Sequence, residues 1–437
     1  MLYEKSDGAL FRETARSVAA QALPCTEWII LAQGEIAPPL REELQALRRD
    51  ARVKILEQPR NLGIIRGLRL CLEAARARYA VPLDGDDLLT PDALQVMACA
   101  LARAPGSAFA YSDEDALVDG VPAHPYWRPD WDEVLNLESS YVWHLCAFER
   151  ERALALEVYS DPGADWCQDW DTVMRFAGAG HAPLHVPEVL HHWRQHAASS
   201  THRPGANADS LRSTHHVLAR ELARRPDRER FELAVFPIDR GVPEWHIARR
   251  RSDPAAAELI VLSSETRRTR ALLDSIERHF DYRPASIRQL ATRERASLAQ
   301  ALAAGAAPIV WLVSDSLVFE DGRAPWEALR LLELHPGLQA VSGRLVDAAG
   351  RLAWPWKGAA EGAPGPYALA LKPHTIDAPA ADLVFARRGF LAAGAAGAVA
   401  YSPLIRARVV APLLQQESSR AGRRSTAHHE AMSALYR

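Results

Sequence analysis

The chain has 437 residues, which predicts two domains because single hydrophobic cores rarely extend beyond about 250–300 residues. Hydrophobic residues make up 48%, charged residues 24% and the formal net charge is -3, so the chain is typical of soluble globular proteins and lacks the basic excess of nucleic-acid binders. It contains no apolar run of about 18 residues, and its N-terminus lacks the apolar core of a signal peptide, so we expect neither a membrane span nor a leader. The five cysteines are scattered without paired spacing, which fits reduced thiols in a cytoplasm better than a disulfide framework or a zinc site.

The first half alternates strand and helix patterns. "EWIILA" and "VKIL" predict strands, and the apolar positions Ile65, Leu68, Leu72, Ala75 and Tyr79 have the spacing of a helix with one buried face. "YAVPL" then predicts a strand, "PDALQVMACALA" a helix and "SAFAYS" a further strand. This order predicts an α/β domain with a largely parallel sheet, in which ligands bind beyond the carboxyl ends of the strands.

A second α/β pattern follows a charge-dense stretch. We predict a first domain over 1–220, a linker over 221–250, a second domain over 251–415 and a loosely ordered tail over 416–437. "AVPLDGDDLL" and "IVWLVSDSLVF" align as a diverged repeat, in which only Asp315 of the acid cluster is retained in the second copy. We therefore expect no second active site there, and instead a scaffold, acceptor-docking or dimerising role.

Three acids follow the predicted strand "YAVPL": Asp84, Asp86 and Asp87. Crowded carboxylates repel one another unless a cation compensates them. Oxygen ligands without a neighbouring His or Cys suit Mg²⁺ or Mn²⁺, which commonly also bind substrate phosphates. The alternative is a solvated turn that caps the next helix.

Four segments in order resemble a known family. "QPRNLGIIRGLRLCLEAARARYAVPLDGDDLLTPDAL" is similar to the core of family-2 glycosyltransferases with the GT-A fold, and "AYSDEDALVDG" resembles the next strand and its acidic turn. "PYWRPDW" resembles the P-[FY]-x-[KR]-P-x-W stretch of the O-antigen and capsule branch. "HHWRQHAASS" resembles the Y-x-W-R-x-H-x-x-S closing loop. The second half resembles the same family more faintly, which implies a GT-A domain followed by a diverged GT-A-like domain.

The resemblance implies transfer of a sugar, with inversion, from a nucleotide-diphosphate donor to a hydroxyl group, and UDP is the expected nucleotide. It assigns the general base to Asp169 in "CQDWD". It assigns the other roles as follows: nucleoside or diphosphate contacts to Asn61, Gly63, Asp84, Arg194 and Ser199, the metal to Asp86, Asp87 and His196, and acceptor stacking to Trp127 and Trp131. His191 and His192 are expected to be packing or polar filler.

Two features depart from the family pattern. The strand that should precede the first helix is missing, and Ala32 and Gln33 stand where the family has acids that hold the nucleotide. These departures keep a second hypothesis open, a non-catalytic glycosyltransferase-like protein that binds a glycan or a partner enzyme. A nucleotidyltransferase is disfavoured because a Gly-rich triphosphate loop is missing.

The leading hypothesis is a metal-assisted glycosyltransferase of polysaccharide biosynthesis. It requires Mn²⁺ or Mg²⁺, a nucleotide-sugar donor and a glycan or lipid-linked glycan acceptor. We expect a cytoplasmic location with peripheral contact at the inner membrane, and another glycosyltransferase is a candidate partner.

Overall fold

The computed structural model describes residues 1–195, 208–238, 243–291, 295–360, 366–393 and 397–413. Two compact units emerge. The first comprises Met1–Trp131 and Ser140–Glu221, and the second comprises Asp132–Ser139 and the described residues from Leu222 onward. Among the described residues, we find no helix that combines the length and the apolar character needed to cross a membrane.

The elements from the N-terminus to residue 223 alternate between helices and strands in much the predicted order. They are α1 (Gly8–Ala19), β1 (Trp28–Gln33), α2 (Pro38–Leu47), β2 (Val53–Gln58), α3 (Ile64–Ala74), β3 (Tyr79–Ala80), β4 (Leu88–Leu89), α4 (Ala93–Arg103), β5 (Phe109–Val118), β6 (Val121–Tyr126), α5 (Glu133–Glu138), β7 (Cys146–Glu149), α6 (Arg150–Ala155), α7 (Gln168–Gly178), β8 (Leu184–Gln195) and α8 (Ala208–Ala223).

The sheet of the first unit is mixed rather than largely parallel. Strands β1 and β2 form a parallel pair, and a six-stranded sheet has the order β3-β7-β5-β8-β4 with β6 on β5. The central pair β5 and β8 is parallel, whereas β7 and β4 are antiparallel to their neighbours. The buried face of α3, with Ile65 and Leu72, agrees with the predicted helical spacing.

The strand that the sequence predicts to be missing is reduced to a single bridging residue. Leu2 pairs in parallel with Ala32 of β1. Its N–H donates to the Leu31 carbonyl over 2.8 Å, and its carbonyl accepts from the Gln33 N–H over 3.0 Å. The edge of β1 is therefore covered only at this point among the described residues.

The second unit is also α/β. Its remaining elements are β9 (Phe231–Val235), β10 (Trp245–Arg249), β11 (Ala257–Leu262), α9 (Thr266–His279), β12 (Ser286–Leu290), α10 (Arg295–Ala304), β13 (Ile309–Ser314), β14 (Leu317–Val318), α11 (Ala324–Leu334), β15 (Leu338–Val346), β16 (Leu352–Trp354), β17 (His374–Ile376), β18 (Leu383–Arg387), α12 (Arg388–Ala393) and β19 (Ala398–Val409). Strands β9 and β10 pair antiparallel within the range 221–250, where the sequence predicts only a linker.

Five strands follow the same path in each unit. The nine-stranded sheet of the second unit contains the order β13-β18-β15-β19-β14, and the first unit has β3-β7-β5-β8-β4. Each corresponding pair also has the same direction, with the parallel pair at β15 and β19. The second unit differs in its full strand β11, which lies between β12 and β13. The two sheets therefore share this five-strand order, and the repeat suggested by the sequence stays a prediction.

A buried ion-pair network fixes the segment Asp132–Ser139 inside the second unit. The Arg330 guanidinium lies 2.6 Å from Glu138 and 2.6 Å from Glu327, and it also donates to the Ile247 carbonyl. All three charged side chains are at most 5% exposed. Two carboxylates therefore share one guanidinium in a nearly dry environment.

We predict that Arg330→Met lowers the free energy of unfolding by about 3–5 kcal/mol, because it leaves two buried carboxylates without their cation. Urea unfolding followed by tryptophan fluorescence checks this value. The matched control is Arg251→Met, since Arg251 pairs with Asp281 on the surface, where both side chains are about half exposed. Equal destabilisation by the two variants would contradict the prediction.

Candidate functional site

The acid turn between β3 and β4 directs its carboxylates to different environments. The Asp84 side chain is 67% exposed, Asp86 is half-buried and Asp87 is 1% exposed. Asp87 Oδ1 accepts the Arg194 N–H over 2.7 Å, which ties the turn to β8. Asp84 and Asp86 therefore remain accessible to a ligand, whereas Asp87 faces the protein interior.

Two histidines lie beside Asp87. The His144 and His191 rings stack with centroids 4.6 Å apart, and His191 Nε2 lies 3.3 Å from Asp87 Oδ2. Each of these three residues offers one ligand atom, and the three atoms lie within 4.8 Å of one another. The buried His191 thus belongs to a polar cluster with Asp87 and His144.

Glu114 and Arg128 form the base of this cluster. The Arg128 guanidinium is completely buried, lies 3.0 Å from Glu114, and donates to the carbonyl oxygens of Tyr141 and Ser112. His144 Nδ1 lies 3.2 Å from the other oxygen of Glu114. Burial alone would raise the pKa of Glu114, but Arg128 and His144 lower it to about 2. Glu114 therefore carries a fixed negative charge beneath the histidines.

His144 responds to the surrounding acids. Burial alone would lower the pKa of His144, but its hydrogen bond with Glu114 and the charges of Glu114, Asp84 and Asp87 raise that pKa to about 10. His144 Nε2 lies 3.9 Å from Asp84 Oδ2. The site thus favours a positive charge next to the acid turn.

Asp169 lies in the first turn of α7 and is half-buried. The Gln168 side-chain amide donates to its Oδ2 over 3.1 Å. Burial raises the pKa of Asp169 to about 6; the charge of His144 opposes this shift, and the charges of Asp84 and Glu114 add to it. Because such charges act over short distances, Asp169 and the acid turn belong to one electrostatic site.

The loop before α3 is held by side chains that accept from backbone N–H groups. The exposed Asn61 accepts the Gly63 N–H over 2.9 Å, and Asp165 accepts the Ile65 N–H over 2.8 Å. Gly63 has φ of +84°, and a Cβ there would lie 3.1 Å from Asp165, so a side chain would be strained and crowded. Gln33 is buried and accepts the Leu62 N–H, which makes it part of the loop support.

The predicted contacts from the closing loop are only partly described. Arg194 is 8% exposed; its Nε donates to the Asp86 carbonyl, and its Nη2 lies 2.6 Å from Glu13. In this arrangement the guanidinium supports the acid turn, and a diphosphate contact requires exchange of the Glu13 partner. His196 and Ser199 lie outside the described residues.

The tryptophans differ from the expected arrangement. Trp127 is 9% exposed and therefore has little surface to offer a sugar, and Trp131 stacks on Tyr141 with centroids 6.3 Å apart. Trp166, which the sequence analysis did not select, is 43% exposed and has φ of +71°. This backbone conformation is strained for a bulky residue and lies three residues before Asp169.

Sequence reasoning also missed His144, Glu114 and Arg128 as members of the site. Glu114 is the middle one of three consecutive acids in "AYSDEDALVDG", and Arg128 is the cation in "PYWRPDW"; these charges were the available signal. His144 in "VWHL" gave no such signal, because a single histidine between apolar residues is usually structural.

Comparison with known proteins is informative for the first half of the chain. The family model described as "Glycosyl transferase family 2" matches residues 3–150. This part of the chain is therefore similar to glycosyl transferase family 2. Its α/β architecture agrees with the GT-A fold expected for the family, and the C-terminal half contains a further sheet domain.

Two curated relatives of this chain are much longer proteins. The chain is 30% identical over 219 residues to the O-antigen biosynthesis protein RfbC of Myxococcus xanthus, covering 50% of this chain and 17% of that protein. It is 29% identical over 222 residues to the uncharacterized protein y4gI of Sinorhizobium fredii, covering 49% of this chain and 24% of that protein. The chain thus spans at most about a quarter of the length of these relatives.

A solved structure with a distant likeness is that of S. aureus TarS 1-349 in complex with UDP. It has 14% sequence identity and a TM-score of 0.41, with 52% of this chain and 65% of that chain covered. A likeness at this level adds nothing to the family assignment.

The surviving acid of the second unit has a structural role. Asp315 is fully buried and accepts from the Ser264 and Glu265 N–H groups over 2.6 and 2.9 Å, and from the hydroxyl groups of Ser264 and Thr269. Burial alone would raise the pKa of Asp315, but these hydrogen bonds lower it. Its carboxylate thus occupies the N-terminus of α9, a position that otherwise suits an anionic ligand.

We predict that Asp315→Ala destabilises the protein by about 1–3 kcal/mol, because several buried donors lose their acceptor. The variant should leave nucleotide binding unchanged. Thermal unfolding and calorimetric titration with UDP check both parts. Asp274→Ala is the matched control, since Asp274 is an exposed acid on the same helix. Loss of UDP binding in Asp315→Ala alone would contradict a purely structural role.

Proposed function

We propose that the first unit transfers a sugar, with inversion, from a UDP-sugar to a hydroxyl group of a growing surface glycan. The observation that carries this proposal is the electrostatic coupling of Asp169 with Asp84 and His144, since a donor at the acid turn would then lie beside a carboxylate of raised pKa. The match of residues 3–150 to the family model supports glycosyl transfer, and the likeness to an O-antigen biosynthesis protein supports a surface glycan as the product.

In the proposed reaction, the ionised Asp169 accepts the proton of the acceptor hydroxyl. The acceptor oxygen then attacks the anomeric carbon from the face opposite the diphosphate, and the bond between that carbon and the diphosphate oxygen breaks with inversion. The half-buried position of Asp169 limits solvation of the carboxylate, which makes it a stronger base near neutral pH than an exposed aspartate.

The accessible acids of the turn fit a divalent ion. Asp84 is exposed and Asp86 is half-buried, so both carboxylates can be reached by a ligand, and Mg²⁺ or Mn²⁺ prefers such oxygen ligands. Asp86 would hold the ion, which neutralises the developing charge of the diphosphate when bound. Asp84, Asn61 and Gly63 would face the nucleotide, with Ser199 and His196 supplied by the closing loop.

On the acceptor side, the exposed Trp166 is a better candidate for stacking on a sugar than the buried Trp127. Trp131 stays a candidate at the edge of its stack with Tyr141. The second unit is proposed to serve as a scaffold or acceptor-docking domain, since its surviving acid already has four intramolecular donors.

The first test is calorimetric titration of the purified chain with UDP in Mn²⁺, in Mg²⁺ and in EDTA. We expect binding that needs the ion, and at least a tenfold loss in Asp86→Ala, on the order of 1.4 kcal/mol. Asp92→Ala is the control, because Asp92 is exposed and lies only six residues away. No binding of UDP, dTDP or GDP in any condition would instead favour the non-catalytic alternative, which the pairing of Arg194 with Glu13 also favours.

Asp169 provides a separate prediction about the chemical step. Asp169→Asn should keep the affinity for UDP and abolish sugar transfer, because the amide cannot accept the proton. Since the pKa of Asp169 is about 6 and the base must be ionised, turnover should be constant above that pH and fall about tenfold per pH unit below it. A pH profile with UDP-sugar turnover measures this, and a rate that does not decline at pH 5 would rule out Asp169 as the base.

A further inference from the structure

We propose that Asp87, His144 and His191 form a binding site for a transition-metal ion, separate from the Mg²⁺ or Mn²⁺ position at Asp86. Two imidazoles and one carboxylate are a ligand set that suits Zn²⁺, Co²⁺ or Fe²⁺ rather than Mg²⁺, which prefers oxygen ligands alone. This proposal does not rest on the proposed transfer reaction, because it concerns metal binding in the absence of nucleotide.

Three buried polar atoms of this cluster lack hydrogen bonds within the part of the chain that the structure describes. Among the described residues, Asp87 Oδ2 and both ring nitrogens of His191 have no hydrogen-bond partner. Asp87 is 1% exposed and His191 is 0% exposed, so bulk solvent does not reach these atoms. His191 Nε2 lies 3.3 Å from Asp87 Oδ2, within ion-pair distance but without the geometry of a hydrogen bond. Unsatisfied buried groups are costly, and an ion bound by His191 Nε2 and Asp87 Oδ2 would give both atoms a partner.

The two imidazole rings turn their Nδ1 atoms towards Glu114. Glu114 Oε2 lies 3.2 Å from His144 Nδ1 and 3.8 Å from His191 Nδ1. Because the rings are nearly parallel, at 19°, both Nε2 atoms lie on the side away from Glu114. A carboxylate behind a histidine is the usual outer-shell partner that orients a metal-binding imidazole. Arg128 in turn fixes Glu114, so the support of the site is built into the core.

The negative charge of the cluster and its access to solvent also suit a divalent ion. Asp84, Asp87 and Glu114 all act on His144, and only Glu114 is paired with a buried arginine in this cluster. A divalent ion would compensate the negative charge that the nearby carboxylates Asp84, Asp87 and Glu114 bring to this cluster. The His144 side chain is 24% exposed and therefore offers an entry path. An ion about 2.1 Å from each ligand requires ligand atoms about 3.4 Å apart, so separations that now reach up to 4.8 Å must close by at most about 1.4 Å.

The ligands of the cluster can be replaced one at a time. His191→Tyr removes one of the two imidazoles and Asp87→Asn removes the ionised carboxylate, so each substitution should specifically weaken metal binding.

The test uses the full chain, stripped with EDTA and titrated with Co²⁺ without nucleotide. We expect one cobalt per chain by elemental analysis, with the visible d–d bands of a site that includes nitrogen ligands. His191→Tyr and Asp87→Asn should each weaken cobalt binding by more than the about 10–100-fold that loss of an outer-shell partner costs. Asp86→Asn should retain both the stoichiometry and the bands.

Circular dichroism in EDTA checks that each variant folds like the unsubstituted chain. If His191→Tyr fails to fold, His144→Gln at the partly exposed end of the cluster gives the same test. The proposal is overturned if the unsubstituted chain binds no cobalt at micromolar concentration, or if the variants bind it as tightly as the unsubstituted chain. Loss of cobalt in Asp86→Asn would overturn it as well, because the ion would then belong to the diphosphate position.

Discussion

The buried ion pair between Arg128 and Glu114 is the interaction on which the candidate site depends. Arg128 has no exposed surface, and its guanidinium is held by Glu114 and by two carbonyl oxygens. The cost of burying these charges is met only because each has a partner with good geometry. Glu114 can therefore present its second oxygen to His144 at a fixed position.

A chain of contacts connects this buried ion pair to the acid turn. His144 stacks on His191, and β8, which carries His191, holds Asp87 through the Arg194 N–H. The acids that remain accessible, Asp84 and Asp86, are thereby displayed from a turn whose far side is anchored in the sheet. In the proposed sugar transfer, negative charge develops on the leaving diphosphate. Charged groups that are already held in place would stabilise this charge with little reorganisation during the chemical step.

The two units share one path of five strands but differ in a neighbouring strand and in the environment of their acids. Both contain the same path of five strands, yet the second unit has a complete strand β11 where the first has only the bridge at Leu2. Conversely, the acid turn of the first unit is open to ligands, whereas Asp315 in the second is used by the backbone of α9. A carboxylate that caps a helix is saturated with donors and has no capacity left for a metal or a nucleotide.

The sequence by itself determined the α/β class, the buried face of α3, the acid turn and the family resemblance, because these depend on local periodicity and on motifs contiguous in the chain. It did not predict that Asp87 faces inward while Asp84 faces solvent, that the segment Asp132–Ser139 belongs to the second unit, or that β9 and β10 pair in the presumed linker. Only the tertiary structure decided these, since each depends on contacts between residues far apart in sequence. His144 is the clearest example: nothing in "VWHL" indicates a charged site, and its chemistry arises from Glu114, Asp84 and His191, which the fold brings to it.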